Sequence, residues 1–570
     1  MIGLNYASTR SVRGALRYSA SLAIFLSATS WTDCASAQNA AGSSASTAPK
    51  SESVKPAPIR KFEINEFDVE GNSVLDEAAI DAAVEPYLGP DRTMADIDGA
   101  RGALEKAYAA RGYQTVYVIL PPQTVKAGVV RLKAVETKIG AVAVNGLNHT
   151  TAERIQGALP SLAPGAVPNL KTLNSELVAL NAESSDRQVT PSMKPGKQAD
   201  TIDVALDVED KLAVHGGLEL NNKYSQDTHP LRLQANLSYD DLWGMGHSLS
   251  GLYSVAPQDP ANGEVYALTY SAPLPGTDIK LSLTGLRSNS NVSTLGSTDV
   301  LGKGNSATLN ATWALGTVGD YFHYLQASVA WKDFNDTVSQ GGQSNAAPIT
   351  YYPLSLSYVG TLRGPSDQLS FNSGLTMSFR GLGSSSTAFD NARFRADGDF
   401  LYFKGGANWL HNLPYGIDLY AEADGQIADA PLISNEQFST GGDGSVRGYL
   451  QSQGLGDDGI RTTVEVRSPS LVPWMGAYLG THVDELRFVG FLDAARAWLH
   501  DPLPEQRDFS NFRSIGFGVT GQALQYLNAS LFVADPLDTF TVLGTNNTIS
   551  HDDSTFAGHL RLQFRVWTQF

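Results

Sequence analysis

The sequence predicts a mainly β protein, a transmembrane antiparallel β-barrel of about 16 strands preceded by two small α/β modules. Three observations predict it: an export signal at the start, one β-α-α-β-β pattern repeated at a spacing of about 75 residues, and short segments alternating apolar with polar from residue 211 to the end. With 42% hydrophobic and 17% charged residues, the 570-residue chain is no disordered polyelectrolyte. Its 41 Lys and Arg against 58 Asp and Glu leave a formal charge of −17 and no basic stripe, which excludes wrapping of nucleic acid. One cysteine, Cys34, can make neither an internal disulfide nor a Cys-rich zinc site.

Arg10, Arg13 and Arg17 precede the apolar run Tyr18 to Ala28, and Ala35-Ser36-Ala37 supplies small residues for cleavage before Gln38. Residues 1–37 therefore read as a signal peptide, the apolar run being well short of the about 20 residues that a membrane helix needs. Trp31-Thr32-Asp33 does not resemble a lipobox before Cys34. Residues 38–60, rich in Ala, Ser, Pro and Lys without amphipathic period, read as a flexible linker. Later in the chain no run of about 18 apolar residues occurs, so membrane crossing, if any, falls to strands.

The first module, 61–136, opens with a strand-like Phe62 to Val69 and the turn Glu70-Gly71-Asn72. A short helix carries Ile80 and Val84, and a second opens at Thr93 with Asp96 in a variant capping box and Ile97, Ala100, Leu104 and Tyr108 on one face. Gly112 suits a helix end, and Thr115 to Leu120 and Gly128 to Val135 read as strands. The second module, 137–210, repeats the order: the turn at Gly146, a capping box from Thr150 to Glu153, helices with Ile155 and Leu159 and with Leu170, Leu173, Leu177 and Leu180, then strands near Arg187 to Met193 and Thr201 to Val208. Most of these residues build two cores. Sheet edges that remain open suit an extended, unfolded polypeptide, because edge pairing uses main-chain groups and reads little sequence.

From 211 to 570 the helical period disappears. Pro230 to Asp241 sets Leu231, Leu233, Ala235, Leu237 and Tyr239 against Arg232, Gln234, Asn236, Ser238 and Asp240. The last segment sets Leu560, Leu562, Phe564, Val566 and Phe570 against Arg561, Gln563, Arg565 and Gln569. Polar tips such as Ser288 to Gly304 and Asp333 to Ala347 separate such segments. The polar face lines a lumen, and a ring of about 16 strands is wide enough for a hydrated passage unless something fills it.

Several motifs resemble the two-partner secretion outer-membrane transporters, the hemolysin secretion/activation family, which carry two POTRA domains before a 16-stranded barrel. They are Val69-Glu70-Gly71-Asn72, Gly112-Tyr113, Leu120-Pro121-Pro122-Gln123 and Gly128, then Val144-Asn145-Gly146, Leu180-Asn181 and Lys194-Pro195-Gly196. In the barrel, Asp240-Asp241-Leu242-Trp243-Gly244-Met245-Gly246 resembles the early periplasmic turn. Val446-Arg447-Gly448-Tyr449 resembles the signature of an inward-folded loop, here near 436–456, and Phe491-Leu492-Asp493-Ala494-Ala495 resembles the lumen-facing Phe-x-Asp-x-Gly strand motif. The order of the motifs spans roughly residues 60–570. Two features depart from the family: residues 38–60 show no plug helix, and Ala495 stands at the usual glycine.

The resemblance implies an outer-membrane transporter with periplasmic POTRA modules that passes an unfolded secreted exoprotein to the cell surface. Its partners would be that exoprotein, the barrel assembly machinery, with Phe570 and Phe564 in the terminal strand as assembly signal, and outer-membrane lipid. No nucleic acid and no cofactor or metal is implied. A hemolysin, an adhesin and a contact-dependent toxin all fit as client. The alternative is an outer-membrane protein insertase of the same superfamily, although those resemble longer POTRA arrays. A passive porin leaves the modules idle. No enzyme is expected: Gly246-His247-Ser248-Leu249-Ser250 misses Gly-x-Ser-x-Gly at its last position. Within the loop, a lumenal Arg447 needs a carboxylate. Alternation through Arg487, Val489, Phe491 and Asp493 puts Asp493 on the lumen side, and Glu465 points the same way, so either can be the partner.

Overall fold

The computed structural model describes residues 61–570 apart from 126, 227, 290–291, 296–297, 341–342, 477–481, 505 and 544–548. The expected signal peptide, Cys34 and the linker lie outside the described residues. The chain divides at Leu212 into two compact units.

In the first unit, Phe62 to Val69 is two strands and not one: β1 (Phe62–Ile64) and β2 (Glu66–Glu70). Then follow α1 (Glu77–Val84), β3 (Gly89–Arg92), α2 (Met94–Ala110), β4 (Tyr117–Ile119) and β5 (Val129–Val135). β1 pairs with β3 as a separate ribbon, and the main sheet has the order β2-β5-β4 with β2 parallel to β5. The main chain N–H and Oγ1 of Thr93 both donate to the Asp96 carboxylate at 2.8 Å, which starts α2. Ile97, Ala100, Leu104 and Tyr108 bury their shared stripe against Val118, Val130, Leu132 and Ala134. Strand β4 is shorter than Thr115 to Leu120 because the Val116 N–H closes a turn on the Tyr113 carbonyl and Pro121 offers no donor.

β6 (Lys138–Asn145), α3 (Ala152–Gly157), α4 (Leu170–Ala182), β7 (Arg187–Pro195) and β8 (Thr201–Asp210) repeat the plan in the order β6-β8-β7. The cap of α3 is Thr151 and not Thr150: the Thr151 side chain accepts from the Arg154 N–H, while Thr150 is held by Asp210. Each module ties its first turn to the end of its last strand. In the first, the N–H groups of Ser73 and Val74 donate to Glu136 at 2.7 and 3.2 Å. In the second, the N–H groups of Asn148, His149 and Thr150 donate to Asp210 at 2.9, 2.6 and 2.7 Å. Gly71 and Gly146 occupy the matching crossing points, at φ +83° and +80°, where a Cβ would lie 2.5 Å from the Ala134 carbonyl oxygen and 2.2 Å from that of Val208.

The modules also interlock. The Leu170 N–H donates to the Gly112 carbonyl at 2.8 Å and Asn169 Nδ2 to the Arg111 carbonyl at 3.0 Å, while Asn169 Oδ1 caps α4. The open end of α2 thus meets the open start of α4, and each satisfies the other's unpaired backbone groups.

The second unit is a closed antiparallel barrel of 16 strands, from Val214–Asn221 to Arg561–Gln569, each paired with its neighbour in sequence. The eighth strand is in two pieces, Gln343–Tyr351 and Leu354–Arg363, interrupted at Tyr352-Pro353; both pair with Tyr321–Gln340. First and last strands close the ring over Asn221↔Arg565 to Gly217↔Gln569. Phe570 extends that seam: its N–H donates to the Gly216 carbonyl at 3.0 Å and its carbonyl accepts from Gly216 at 3.2 Å, its ring lying where a Cβ on Gly216 would be 2.7 Å away. Phe564 is half-buried in the same strand.

Alternation sorts the wall. In Val483–Trp498, Phe488 and Leu492 are exposed, whereas Arg487, Val489, Phe491, Asp493, Ala495 and Ala497 are buried on the inner face. Exposed leucines such as Leu237, Leu268, Leu283 and Leu309 cover the outside, as a lipid-facing band requires. Trp243, Tyr415, Trp474 and Tyr526 stand exposed at turns on the end where the chain enters, the height of an interfacial aromatic girdle. The opposite end carries the long connections. One holds a helix, α5 (Ser386–Ala392), that the loss of helical period did not foretell, and Phe389 of α5 packs with Tyr351 and Phe400. Another, 429–457, folds into the barrel, as the expected inward-folded loop near 436–456 does.

Replacing Asp210 by Ala should leave three N–H groups without their acceptor and cost about 1 to 3 kcal/mol, read by denaturant unfolding of the full protein with a reporter in the second module. Burial pushes the Asp210 carboxyl up, but the His149, Asn148 and Thr150 donors outweigh it and the net shift is down. Its contribution is therefore complete above the unfolded value near ~4 and lost as pH falls through the lower folded value. Deleting Phe570 should reduce the folded, heat-shiftable form on gels; undiminished levels would deny the seam its dependence on that residue.

Candidate functional site

The loop 429–457 joins the strands Asp418–Ala428 and Asp458–Arg467 and lies against the inner wall. Its buried residues include Leu432, Glu436, Thr440, Val446, Arg447, Tyr449 and Asp457. A buried loop must find partners for its polar groups, and here four groups of side chains supply them.

At the tip, Arg447 binds both carboxylates that alternation offered. Nε and Nη2 donate to Asp493 Oδ2 and Oδ1 at 2.8 and 2.7 Å, its own N–H reaches Oδ2 at 3.0 Å, and Nη1 donates to Glu465 Oε1 at 2.7 Å. Register explains the convergence: Asp493 stands opposite Thr463 and Phe491 opposite Glu465, so the two carboxylates are diagonal neighbours on one face. A planar fork of five donors spans both. The guanidinium carbon lies 3.5 Å from the Phe491 ring centroid and 5.3 Å from that of Phe532. Arg467 holds the other oxygen of Glu465 at 2.8 Å, so the second carboxylate has a cation of its own.

The rest of the tetrad packs around this cluster. Val446 and Tyr449 join Ala495 and Phe512, with the Tyr449 and Phe512 rings edge to face at 5.0 Å. The Tyr449 hydroxyl lies 3.0 and 2.9 Å from the Arg513 and Asp538 carbonyls and accepts from the Asp538 N–H. Gly448, at φ +91°, passes so close to the wall that a Cβ would be 3.1 Å from that of Ala534. Ala495, where the resembling motif has glycine, is buried against Val446, so the loop accommodates its methyl.

Three further anchors were not singled out in the sequence. Glu436 accepts from Lys332 Nζ at 2.5 Å and from the hydroxyls of Tyr351 and Tyr402 at 2.6 and 2.7 Å. Asp457, fully buried, accepts from the N–H groups of Leu432 and His500 and from Gln437, and pairs with Arg393 of the α5 connection at 3.2 Å. Near the seam, Lys223 pairs with Asp443 of the loop at 3.0 Å, the Gln451 N–H donates to the Tyr224 carbonyl, and Glu219 pairs with Arg565 across the closing strands at 2.6 Å. Buried Glu and Asp in a polar loop would have been the available signal; their partners lie far away in sequence.

A closed barrel with an aromatic girdle and a lipid-facing apolar band, preceded in the chain by two tandem α/β modules, defines an outer-membrane protein with periplasmic domains. Residues 62–137 match the POTRA domain of ShlB type, and residues 200–500 match the haemolysin secretion/activation protein ShlB/FhaC/HecB. The chain belongs to this family and is a two-partner secretion transporter of the outer membrane. It is 22% identical over 489 residues to the outer membrane transporter CdiB of Dickeya dadantii (strain 3937), covering 84% of this chain and 83% of that one. It is 21% identical over 402 residues to the heme/hemopexin transporter protein HuxB of Haemophilus influenzae (strain 86-028NP), covering 68% of each. Among solved structures, CdiB from Escherichia coli superposes with a TM-score of 0.58 at 18% identity, covering 92% of this chain and 93% of that one.

Arg447→Ala would take the guanidinium from buried Asp493 and leave Glu465 with Arg467, at about 3 to 5 kcal/mol if fully dry and less beside lumenal water. In double-mutant cycles read by protease protection of the loop, Arg447 should couple to both acids, more strongly to Asp493, which its guanidinium binds through both Nε and Nη2. The exchange Arg447→Asp with Asp493→Arg should restore only part of that protection, because Glu465 would then face a carboxylate. Strict additivity with Asp493 would contradict the pairing.

Proposed function

We propose that the loop 429–457 is the gate of the transporter and that Arg447, with Asp493 and Glu465, is its lock. The observation carrying this reading is the position of the loop, buried against the inner wall on ionic and hydrogen-bonded contacts and not on a continuous apolar core. Contacts of that kind can be exchanged for water when the loop leaves the wall, whereas large apolar surfaces would be costly to expose. Val446, Gly448 and Tyr449 shape the tip that fits the wall, and Phe491 supplies the surface on which the guanidinium rests.

The client enters through the modules. The four edges of the two three-stranded sheets differ: β2 turns Glu66, Asp68 and Glu70 outward, and β7 contains Pro191 and Pro195, both features that discourage strand addition. β4 exposes Tyr117 and Ile119, and β6 exposes the small Ala141 and Ala143. An extended exoprotein segment pairs most readily with β4 or β6, held by main-chain hydrogen bonds with little demand on its sequence. The periplasm provides no ATP, and folding outside the cell, worth about 5 to 15 kcal/mol per domain, makes return improbable. The barrel assembly machinery reads the terminal strand with Phe564 and Phe570, and lipid covers the outer wall. No chemical step, cofactor or nucleic acid enters this scheme.

Deleting residues 62–208 should abolish secretion of the partner exoprotein while leaving a heat-shiftable barrel in the outer membrane. Undiminished secretion by that variant would place capture elsewhere.

A further inference from the structure

We propose that the outer wall carries a specific site for a phosphorylated, multiply acylated glycolipid of the outer leaflet, formed by a groove across its second to seventh strands with Arg287 at its rim. The groove is shallow and open, offers about 920 Å³, and has outward residues of these strands along it. Strand register arranges them in two rows. The lower row runs Leu237, Gly251, Leu268, Gly285, Ala307 and Trp331, each directly opposite the next. Gly251, Gly285 and Ala307 make the floor, and a Cβ at Gly285 would meet nothing within 4 Å. Leu237, Leu268 and Trp331 stand up around it, all exposed.

The upper row, two residues nearer the end with the long connections, runs Tyr253, Tyr266, Arg287 and Asn305. The tyrosine rings are 5.0 Å apart, and the Tyr253 hydroxyl donates to Glu264 at 2.9 Å. Arg287 is exposed, and among the described residues no carboxylate forms an ion pair with it. Below it in the same strand the outward residues are Ile279, Leu281, Leu283 and Gly285, a column that spans hydrocarbon depth. Arg287 therefore stands at headgroup height. A guanidinium there is costly against acyl chains and favoured beside phosphate, which its fork binds in two-point fashion.

Apolar depth and a cation at the rim together select a lipid with several acyl chains and a phosphate close to them. In an outer membrane the outward half of the wall faces the outer leaflet, whose glycolipid has that chemistry. A phospholipid also offers Arg287 a phosphate, so the preference for the glycolipid rests on the leaflet and on the width of the groove, which crosses six strands and suits several acyl chains better than two. This inference rests on the outer-membrane placement and not on the gate or on the client's route, so failure of either leaves the other untouched.

The test uses the full-length protein in mild detergent, titrated with diphosphorylated hexa-acyl lipid A or with phosphatidylglycerol and read by native mass spectrometry. Lipid A should bind at least tenfold more tightly than phosphatidylglycerol. Arg287→Ala and Gly285→Phe should each reduce lipid A binding tenfold or more, and Arg287→Lys should retain most of it. Gly285→Phe points into open space, so its heat-shifted gel mobility should be unchanged. Unaltered lipid A binding by both Arg287→Ala and Gly285→Phe would overturn the site, and equal affinity for phosphatidylglycerol would overturn the choice of glycolipid.

Discussion

A ring of 16 strands encloses more space than its own side chains fill, and the interior of this protein depends on how that space is closed. The element that enters it is a polar loop, and a polar loop buried on a wall must satisfy every donor and acceptor it brings. Arg447 is the point where that demand is greatest. Its charge cannot stay in a lumen without carboxylates, so Asp493 and Glu465 are required on the wall, Arg467 is required to balance the second acid, and Phe491 lies beneath the guanidinium.

The same requirement organises the loop away from its tip. Asp457 gathers both stems of the loop and the neighbouring α5 connection, Glu436 reaches the wall at Lys332, Tyr351 and Tyr402, and Asp443 reaches Lys223 beside the seam. Seating of the loop is thus shared between the wall on either side and the closing strands. The contacts of Arg447 at the tip are thus separate from those of Glu436 and Asp457 nearer the stems.

The tandem modules solve a smaller problem with related chemistry. Each three-stranded sheet must fix the turn that leads from its first strand to its first helix, and each does so with a carboxylate at the end of its last strand, Glu136 or Asp210. The glycines at 71 and 146 let the turn cross that strand. Asn169, by capping α4 and binding Arg111, then converts two repeats into one interlocked pair.

Period and parity are local properties, and what they control was legible in the sequence. The repeat, the buried stripe of α2, the lumenal side of Asp493 and the lipid-facing leucines all follow from spacings of two to four residues, and the Val446 to Tyr449 tetrad marked the loop by resemblance. Parity names the face of a strand but not the height at which a side chain meets another, so it left Asp493 and Glu465 as alternatives where strand register makes them joint partners. It left Glu436, Asp457 and Arg393 unremarked for the same reason. Lys332 and Glu436 are 104 residues apart and Glu219 and Arg565 are 346 apart, and such pairs come into being only when the ring closes. The sequence by itself therefore determined which residues face lipid, lumen or module core, and the tertiary structure alone decided which charges neutralise one another, because that depends on register summed around the whole barrel.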